Sequence, residues 1–194
     1  MQLVFATANP NKIAEIQSQL GGAYQFLSLT DIGCTEEVPE TTGTLEGNAR
    51  QKARYVKDNY GHDCFSEDTG LEVDALGGEP GVDTAHYAGP ERSADGNNDK
   101  LFAELDGKAD RSARFRTFIC LIKDGEEHLF EGRCEGKISK ERRGTDGFGY
   151  DPVFLPAEGD GRTFAQMTRA EKARFSHRAR AMTKLMDFLR KPTI

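Results

Sequence analysis

The sequence predicts an α/β fold: a mixed β-sheet flanked by helices, divided near residues 70–75 and again near 160 into two lobes with an active-site cleft between them. Three observations predict it. The first third alternates short apolar runs with stretches of helical periodicity. The middle holds two long strand-like runs joined by Asp124-Gly125, the signal of a tight hairpin. Between them stand glycine- and proline-rich stretches that neither helix nor strand tolerates well.

The apolar run Leu3-Val4-Phe5-Ala6 reads as the first strand, and Thr7-Ala8-Asn9-Pro10-Asn11-Lys12 as the turn that follows it. Asn9 suits a helix N-cap and Pro10 the first helical position, while Ile13, Ile16 and Leu20 form an apolar face. Residues 24–30 form a second strand and 31–43 a polar loop. Thr44 caps a helix carrying Leu45, Ala49, Ala53, Val56 and Tyr60 on one side. Asp63 to Ser66 is a short strand that ends at Glu67-Asp68-Thr69-Gly70. Residues 77–90 read as a surface loop, and 93–105 as a helix with Leu101, Phe102 and Leu105 inward.

Residues 113–122 and 127–138 are the hairpin strands, with Gly132 and Gly136 marking bulges or close backbone approach. Residues 144–161 are too rich in glycine and proline for helix. Thr168 and Glu171 stand at capping-box spacing. Ser176 opens a last helix with a buried stripe of Ala181, Met182, Leu185, Met186 and Leu189.

The 194 residues suffice for a sizeable core. A net charge of -6 argues against nucleic acid as a partner, while leaving room for a local basic pocket. No apolar run reaches membrane-spanning length, and the first residues lack a signal-peptide pattern. The cysteines at 34, 64, 120 and 134 form no Cys-x-x-Cys pair, so free thiols in a reducing cytoplasm are expected.

Four groups of residues can carry chemistry. The strand–turn–helix at Thr7–Lys12 points backbone N–H groups and a lysine at an anion, the arrangement that holds phosphate. Glu67-Asp68 offers hard oxygen ligands for magnesium or a base for an attacking water, and the acidic group Glu36, Glu37, Glu40 and Glu46 offers a second carboxylate. Gly147-Phe148-Gly149-Tyr150-Asp151-Pro152 is a glycine-bracketed turn on which Phe148 can stack a flat base. Ser176-His177-Arg178, with Lys172 just before it, is a corner of donors suited to a phosphate or to a carbonyl-bearing base. Each also has a bland reading, as a solvated turn, a structural loop or an ordinary helix start.

Taken in order, these segments resemble one family. Thr7-Ala8-Asn9 with Lys12, the run Ser66-Glu67-Asp68-Thr69-Gly70-Leu71-Glu72-Val73-Asp74-Ala75-Leu76-Gly77-Gly78, Pro80-Gly81, Gly144 with Gly147 to Phe154, Glu171-Lys172 and Ser176-His177-Arg178 are similar to the motifs of the non-standard purine nucleoside triphosphate pyrophosphatases, also called the inosine triphosphate or dITP/XTP pyrophosphatase family. The resemblance runs from residue 1 to about 190. It implies magnesium-dependent hydrolysis of ITP, dITP or XTP to the monophosphate and pyrophosphate. It implies a long mixed sheet, a ligand cleft between two lobes and a homodimer.

Residue by residue, the resemblance places the triphosphate on Thr7, Ala8, Asn9, Pro10, Asn11 and Lys12, with Thr69 offering a hydroxyl and an N–H. It makes Asp68 the catalytic carboxylate and a magnesium ligand. Phe148, Gly149, Tyr150 and Asp151 would surround the base, and Lys172, His177 and Arg178 would face the purine edge. Two departures stand out: Glu67-Asp68 where the family often has Asp-Asp, and Glu46-Gly47-Asn48-Ala49 where it has Glu-Asn-Ala. The second metal ligand is therefore assigned to Glu40, with Glu46 its rival, and Lys52 is a further candidate for phosphate. The competing readings are a related pyrophosphatase for modified pyrimidine or standard nucleotides, and a nucleotide-binding regulator without turnover.

Overall fold

The computed structural model describes residues 2–20 and 25–190. Tyr24 and the side chain of Leu20, both used above, lie outside the described residues. The strands are β1 (Gln2–Phe5), β2 (Gln25–Leu27), β3 (Cys64–Val73), β4 (Ser112–Lys123), β5 (Glu126–Ile138) and β6 (Phe154–Pro156). They form one six-stranded sheet in the order β2-β1-β3-β4-β5-β6. Pairing is parallel for β1 with β2 and with β3, and antiparallel for β5 with β6, so the sheet is mixed. The helices are α1 (Pro10–Leu20), α2 (Leu45–Tyr60), α3 (Ala94–Glu104), α4 (Arg169–Ala173) and α5 (His177–Arg190).

The chain forms two compact units. The first comprises residues 1–68, 117–132 and 179–194, the second 69–116 and 133–178. The expected divisions near 70–75 and 160 are thus replaced by four crossings. The reason is that β3, β4, β5 and α5 each begin in one unit and end in the other, so no single loop separates them.

In the first unit the alternation of strand side chains sorts the helices. Phe65 clusters with Leu3, Phe5, Ile119 and Leu121 from the sheet, Ile16 from α1, and Met182 and Leu185 from α5. Cys64 and Ser66, on the opposite face of β3, donate to the carbonyls of Ala53 and Ala49 in α2. Both faces are therefore covered, which explains the uninterrupted apolar run Phe118–Ile122. The second unit is built around a separate core containing Leu71, Val73, Leu101, Phe115, Phe154 and Phe164.

The cap assignments hold. Asn9 Oδ1 accepts from the N–H groups of Asn11 and Lys12 at 3.0 and 3.3 Å, and Thr44 Oγ1 from Gly47 at 3.0 Å. Thr168 and Glu171 form the expected capping box. Three segments differ. β3 continues seven residues past Ser66 to Val73. The segment 77–90 contains a 3₁₀ helix at Gly81–His86, and 144–161 contains β6. β6 exists because Gly136 has no side chain: a Cβ there would overlap the Leu155 carbonyl and the Phe154 ring. Gly136→Ala should therefore destabilise the chain by about 1–3 kcal/mol, read as a lower urea midpoint at unchanged m-value.

Candidate active site

Glu67 and Asp68 are consecutive residues of β3, so their side chains leave opposite faces of the sheet. Glu67 lies on the α1 side, where its carboxylate meets Lys12 Nζ at 3.4 Å. Asp68 lies on the α2 side, where Oδ1 meets Lys52 Nζ at 3.0 Å. Each acid is thus met by a lysine from the helix that covers its face. Beyond the Phe5↔Phe65 pair β1 has ended. The Glu67 carbonyl accepts instead from Lys52 Nζ at 2.7 Å and Lys12 Nζ at 3.5 Å. The acidic dipeptide lies inside a buried strand rather than at a solvated turn, with both carboxylates and the Glu67 carbonyl met by lysine.

Lys52 also binds the Glu40 carboxylate. The loop before α2 is fastened to deliver Glu40 there. Thr42 N and Oγ1 donate to Asn48 Oδ1 at 3.1 and 2.9 Å, and Thr41 exchanges two hydrogen bonds of 2.8 Å with Gln51. Glu46 instead pairs with Arg50, and Glu36 accepts from Tyr60 and Tyr55. Burial raises the Asp68 carboxyl above the ordinary aspartate range, against the pull of Lys52 and Lys12, and the Glu40 charge adds to the rise. Burial also works against the charge on Lys52, but Asp68 and Glu40 outweigh it and hold its ammonium above the usual lysine range. Among the described residues, no three His, Cys, Asp or Glu side chains form a closed metal cage.

The Thr7–Lys12 turn adopts the strand–turn–helix form expected of it. Asn9 N donates to Thr7 Oγ1 at 3.2 Å, and Ile13 N closes the first helical bond to Asn9 O at 3.2 Å. With Asn9 also capping Asn11 and Lys12, the turn is set by its own side chains, and Lys12 extends from it to Glu67.

The second unit assembles a group of opposite character. The turn at 147–151 closes on itself: Phe148 N donates to Asp151 Oδ2 at 2.9 Å and Asp151 N to Phe148 O at 3.2 Å. Gly147 is required, since its φ is +76° and a Cβ would overlap the Asp151 carboxylate. Lys172 Nζ binds Asp151 Oδ2 at 2.8 Å and lies 5.3 Å from the centre of the Phe148 ring. The Arg178 guanidinium lies 5.6 Å from the same ring. Phe148, Asp151, Lys172 and Arg178 are therefore brought together. Tyr150 is buried with its hydroxyl on Thr84 O at 2.9 Å, and His177 stacks on Phe115 at 4.5 Å. Thr69 directly follows Asp68 as the first residue of this unit.

A family model described as the Ham1 family matches residues 3–188. The chain belongs to the Ham1 family. It is 54% identical to a dITP/XTP pyrophosphatase of Flavobacterium psychrophilum over 190 residues, 98% of this chain and 100% of the relative. Its fold matches the Staphylococcus aureus Ham1 protein with a TM-score of 0.89 at 34% identity, covering 97% of this chain and 98% of that one. A HAM1 protein from Coxiella burnetii matches with a TM-score of 0.90 at 33% identity over the same shares.

Within this Ham1 chain two buried polar residues escaped a leading place in the sequence reading: Lys52 and Asn98. Lys52 stands among Leu45, Ala49, Ala53 and Val56, on the face of α2 that should be apolar. Asn98 stands three and seven residues before Leu101 and Leu105, on the buried side of α3. A polar residue in register with a buried stripe is the signal that finds both.

Lys172 is held by α4, whose capping-box Glu171 also pairs with Arg162 at 2.8 Å. Arg162 and the Thr168 N–H lower the Glu171 carboxyl from its ordinary 4.5 to about 2. A carboxyl depressed in the folded state stabilises fully above its unfolded value and loses that contribution as pH falls through the folded one. Glu171→Gln should thus lower the thermal midpoint at neutral pH. The gap from the parent should close as pH falls from 4.5 toward about 2, checked by melting both proteins across that range.

Proposed function

We propose that this Ham1-family chain hydrolyses dITP, ITP and XTP to the monophosphate and pyrophosphate. The observation that carries this reading is the buried Asp68 carboxylate paired with Lys52, next in the strand to Glu67, which is paired with Lys12 rising from the Thr7–Lys12 turn. A nucleotide-binding regulator has little use for a second negative charge beside bound phosphates, whereas hydrolysis needs a base there. The relative of 54% identity carries the name of the same activity.

In this reading the turn N–H groups and Lys12 hold the triphosphate, and Lys52 adds a second cation. Asp68, its proton affinity raised by burial, takes a proton from a water whose oxygen bonds to the α-phosphorus as the α–β bridging P–O bond breaks and pyrophosphate leaves. Magnesium is part of the proposal. The Glu40 and Asp68 carboxylates converge on one cation, the Lys52 ammonium, so hard oxygen donors already gather where positive charge is favoured. Magnesium held by one or two carboxylates plus substrate phosphates needs no closed protein cage. Its chemistry there would be to neutralise phosphate charge.

Phe148, Lys172 and Arg178 supply a stacking face and donors. A 6-keto purine accepts from such donors, while the amino group of adenine is a donor itself and would leave them unmatched. The four buried free thiols suit a reducing compartment, so the proposed location is the cytoplasm, with a homodimer as the assembly.

Phosphorus NMR with magnesium and a panel of ITP, XTP, dITP, ATP, GTP and TTP tests the reaction. Pyrophosphate and monophosphate should come from the inosine and xanthosine compounds, with little from ATP or GTP. Orthophosphate with a diphosphate product would refute the proposed bond cleavage. Asp68→Asn should bind nucleotide and lose about 10²–10⁴-fold in kcat; full turnover would remove Asp68 from the mechanism. Lys12→Ala should raise KM by about 10–100-fold, the value of a lost charge-assisted hydrogen bond, and by the same factor for every nucleotide. A change confined to base preference would contradict the placing of the triphosphate.

A further inference from the structure

The turn that carries Phe148 contains two glycines with left-handed backbone, Gly147 at φ 76° and Gly149 at φ 62°. Such a segment has the most conformational freedom to lose when it is ordered. Its two internal hydrogen bonds close it on itself but do not fix it to its surroundings. The carbonyl next to Phe148 in the chain after its own, that of Gly149, is held from outside by Asn98 of α3, whose Nδ2 donates to it at 3.0 Å.

Only one orientation of the Asn98 amide serves. Exchanging its nitrogen and oxygen would set one carbonyl oxygen against another. With Nδ2 committed to Gly149, Oδ1 is buried and has no hydrogen-bond partner among the described residues, and the residue is only 1% exposed. An unmatched buried acceptor costs stability that a leucine, of similar size, would not. Its neighbours at helical spacing, Leu101 and Leu105, show that an apolar residue suits this face. A local rule broken without a gain in stability marks a position that serves a site.

The adjacent Asn97 extends the brace. Its Oδ1 accepts from Ala88 N at 2.7 Å and its Nδ2 donates to Ala85 O at 3.0 Å, fixing the Gly81–His86 helix. That helix presents Thr84 O to the Tyr150 hydroxyl at 2.9 Å, the next residue of the turn. Thr84 Oγ1 in turn accepts from Leu71 N in β3 at 2.9 Å. The Phe148 turn is thus bound to α3 directly through Asn98 and indirectly through Asn97, Thr84 and Tyr150.

We propose that Asn98 is a positioning residue for base recognition, fixing the Gly149 carbonyl so that Phe148 is presented to the purine in one orientation with Lys172 and Arg178 beside it. This rests on the reading of residues 148–151 as the base-holding turn. Asn98 reaches the Gly149 carbonyl and is none of the residues assigned to the triphosphate or the attacking water, so its loss acts on base-dependent binding and not on the chemical step.

Asn98→Leu removes both the donor and the unmatched acceptor at similar size, and Asn98→Ala removes both by truncation without introducing a charge. The full-length chain is compared with both by amide hydrogen exchange and by kinetics. For Asn98→Leu the thermal midpoint should stay at or above that of the parent. Amides of 148–151 should exchange about tenfold faster while those of α3 keep their protection. KM for dITP should rise about tenfold, roughly the value of one hydrogen bond, with kcat unchanged. The preference for dITP over dATP should narrow by the same factor, and inhibition by inorganic tripolyphosphate, which has no base, should not change.

Asn98→Ala should show the same exchange and preference changes, and it decides the matter if the leucine variant does not fold. Unchanged exchange in the turn, or a KM rising equally for dITP and dATP, would overturn the proposal. A parent chain that turns over neither dITP nor XTP would count against the proposed activity instead, and the exchange measurement would still decide the tether.

Discussion

The burial of two adjacent carboxylates in one strand constrains the whole first unit. An isolated buried carboxylate costs several kcal/mol, and about 3–5 kcal/mol is lost when one partner of a buried pair is removed. Because strand side chains alternate, Glu67 and Asp68 cannot share a partner on one face. Each face needs its own cation, so α1 must bring Lys12 to one side and α2 must bring Lys52 to the other. The turn that starts α1, the register of α2 and the loop carrying Glu40 follow from that requirement. Ser66, whose hydroxyl donates to Ala49 O, fixes α2 one residue before the acidic pair begins.

The second unit meets the opposite requirement. Lys172 is a buried cation paired with Asp151, and the face of Phe148 adds ring electrons near both Lys172 and the buried Arg178. Asp151 consequently has a structural task that the sequence reading divided between ligand and loop. Its Oδ2 holds both the Phe148 N–H and Lys172, so it closes the turn and neutralises the lysine together. One unit thus concentrates carboxylates and lysines, the other an aromatic face and side-chain donors.

The sequence made the ordinary elements legible because their signals are local. Asn9, Thr44 and Thr168 each cap a helix with their own side chain, and Asp124-Gly125 turns β4 into β5. It hid what depends on distant partners. Glu67-Asp68-Thr69-Gly70 has the composition of a solvated turn, and its burial inside β3 depends on Lys12 and Lys52, far away in the chain. β6 was hidden for a similar reason, since a three-residue strand among glycines exists only because Gly136 leaves room beside it. The choice between Glu40 and Glu46 could not be made from spacing. The geometry sets Glu40 on Lys52 and gives Glu46 to Arg50, which decides which carboxylate is near Asp68 without deciding what either one binds.

Lys52, Glu67 and Asn98 share a property that an amphipathic reading discards. Each is a polar group placed where the surrounding pattern calls for an apolar one, and each is held by a partner remote in sequence. A folded chain loses stability at every such position unless the partner is exact in geometry, so polar groups in buried register are sparse by default. Several of them stand around Asp68 and around Gly149, where each is matched to a distant partner. A core selected for stability alone would spread its few polar exceptions or remove them. At Lys52 and Asn98, then, it is the geometry of a distant partner and not apolar burial that fixes which residue the helix carries.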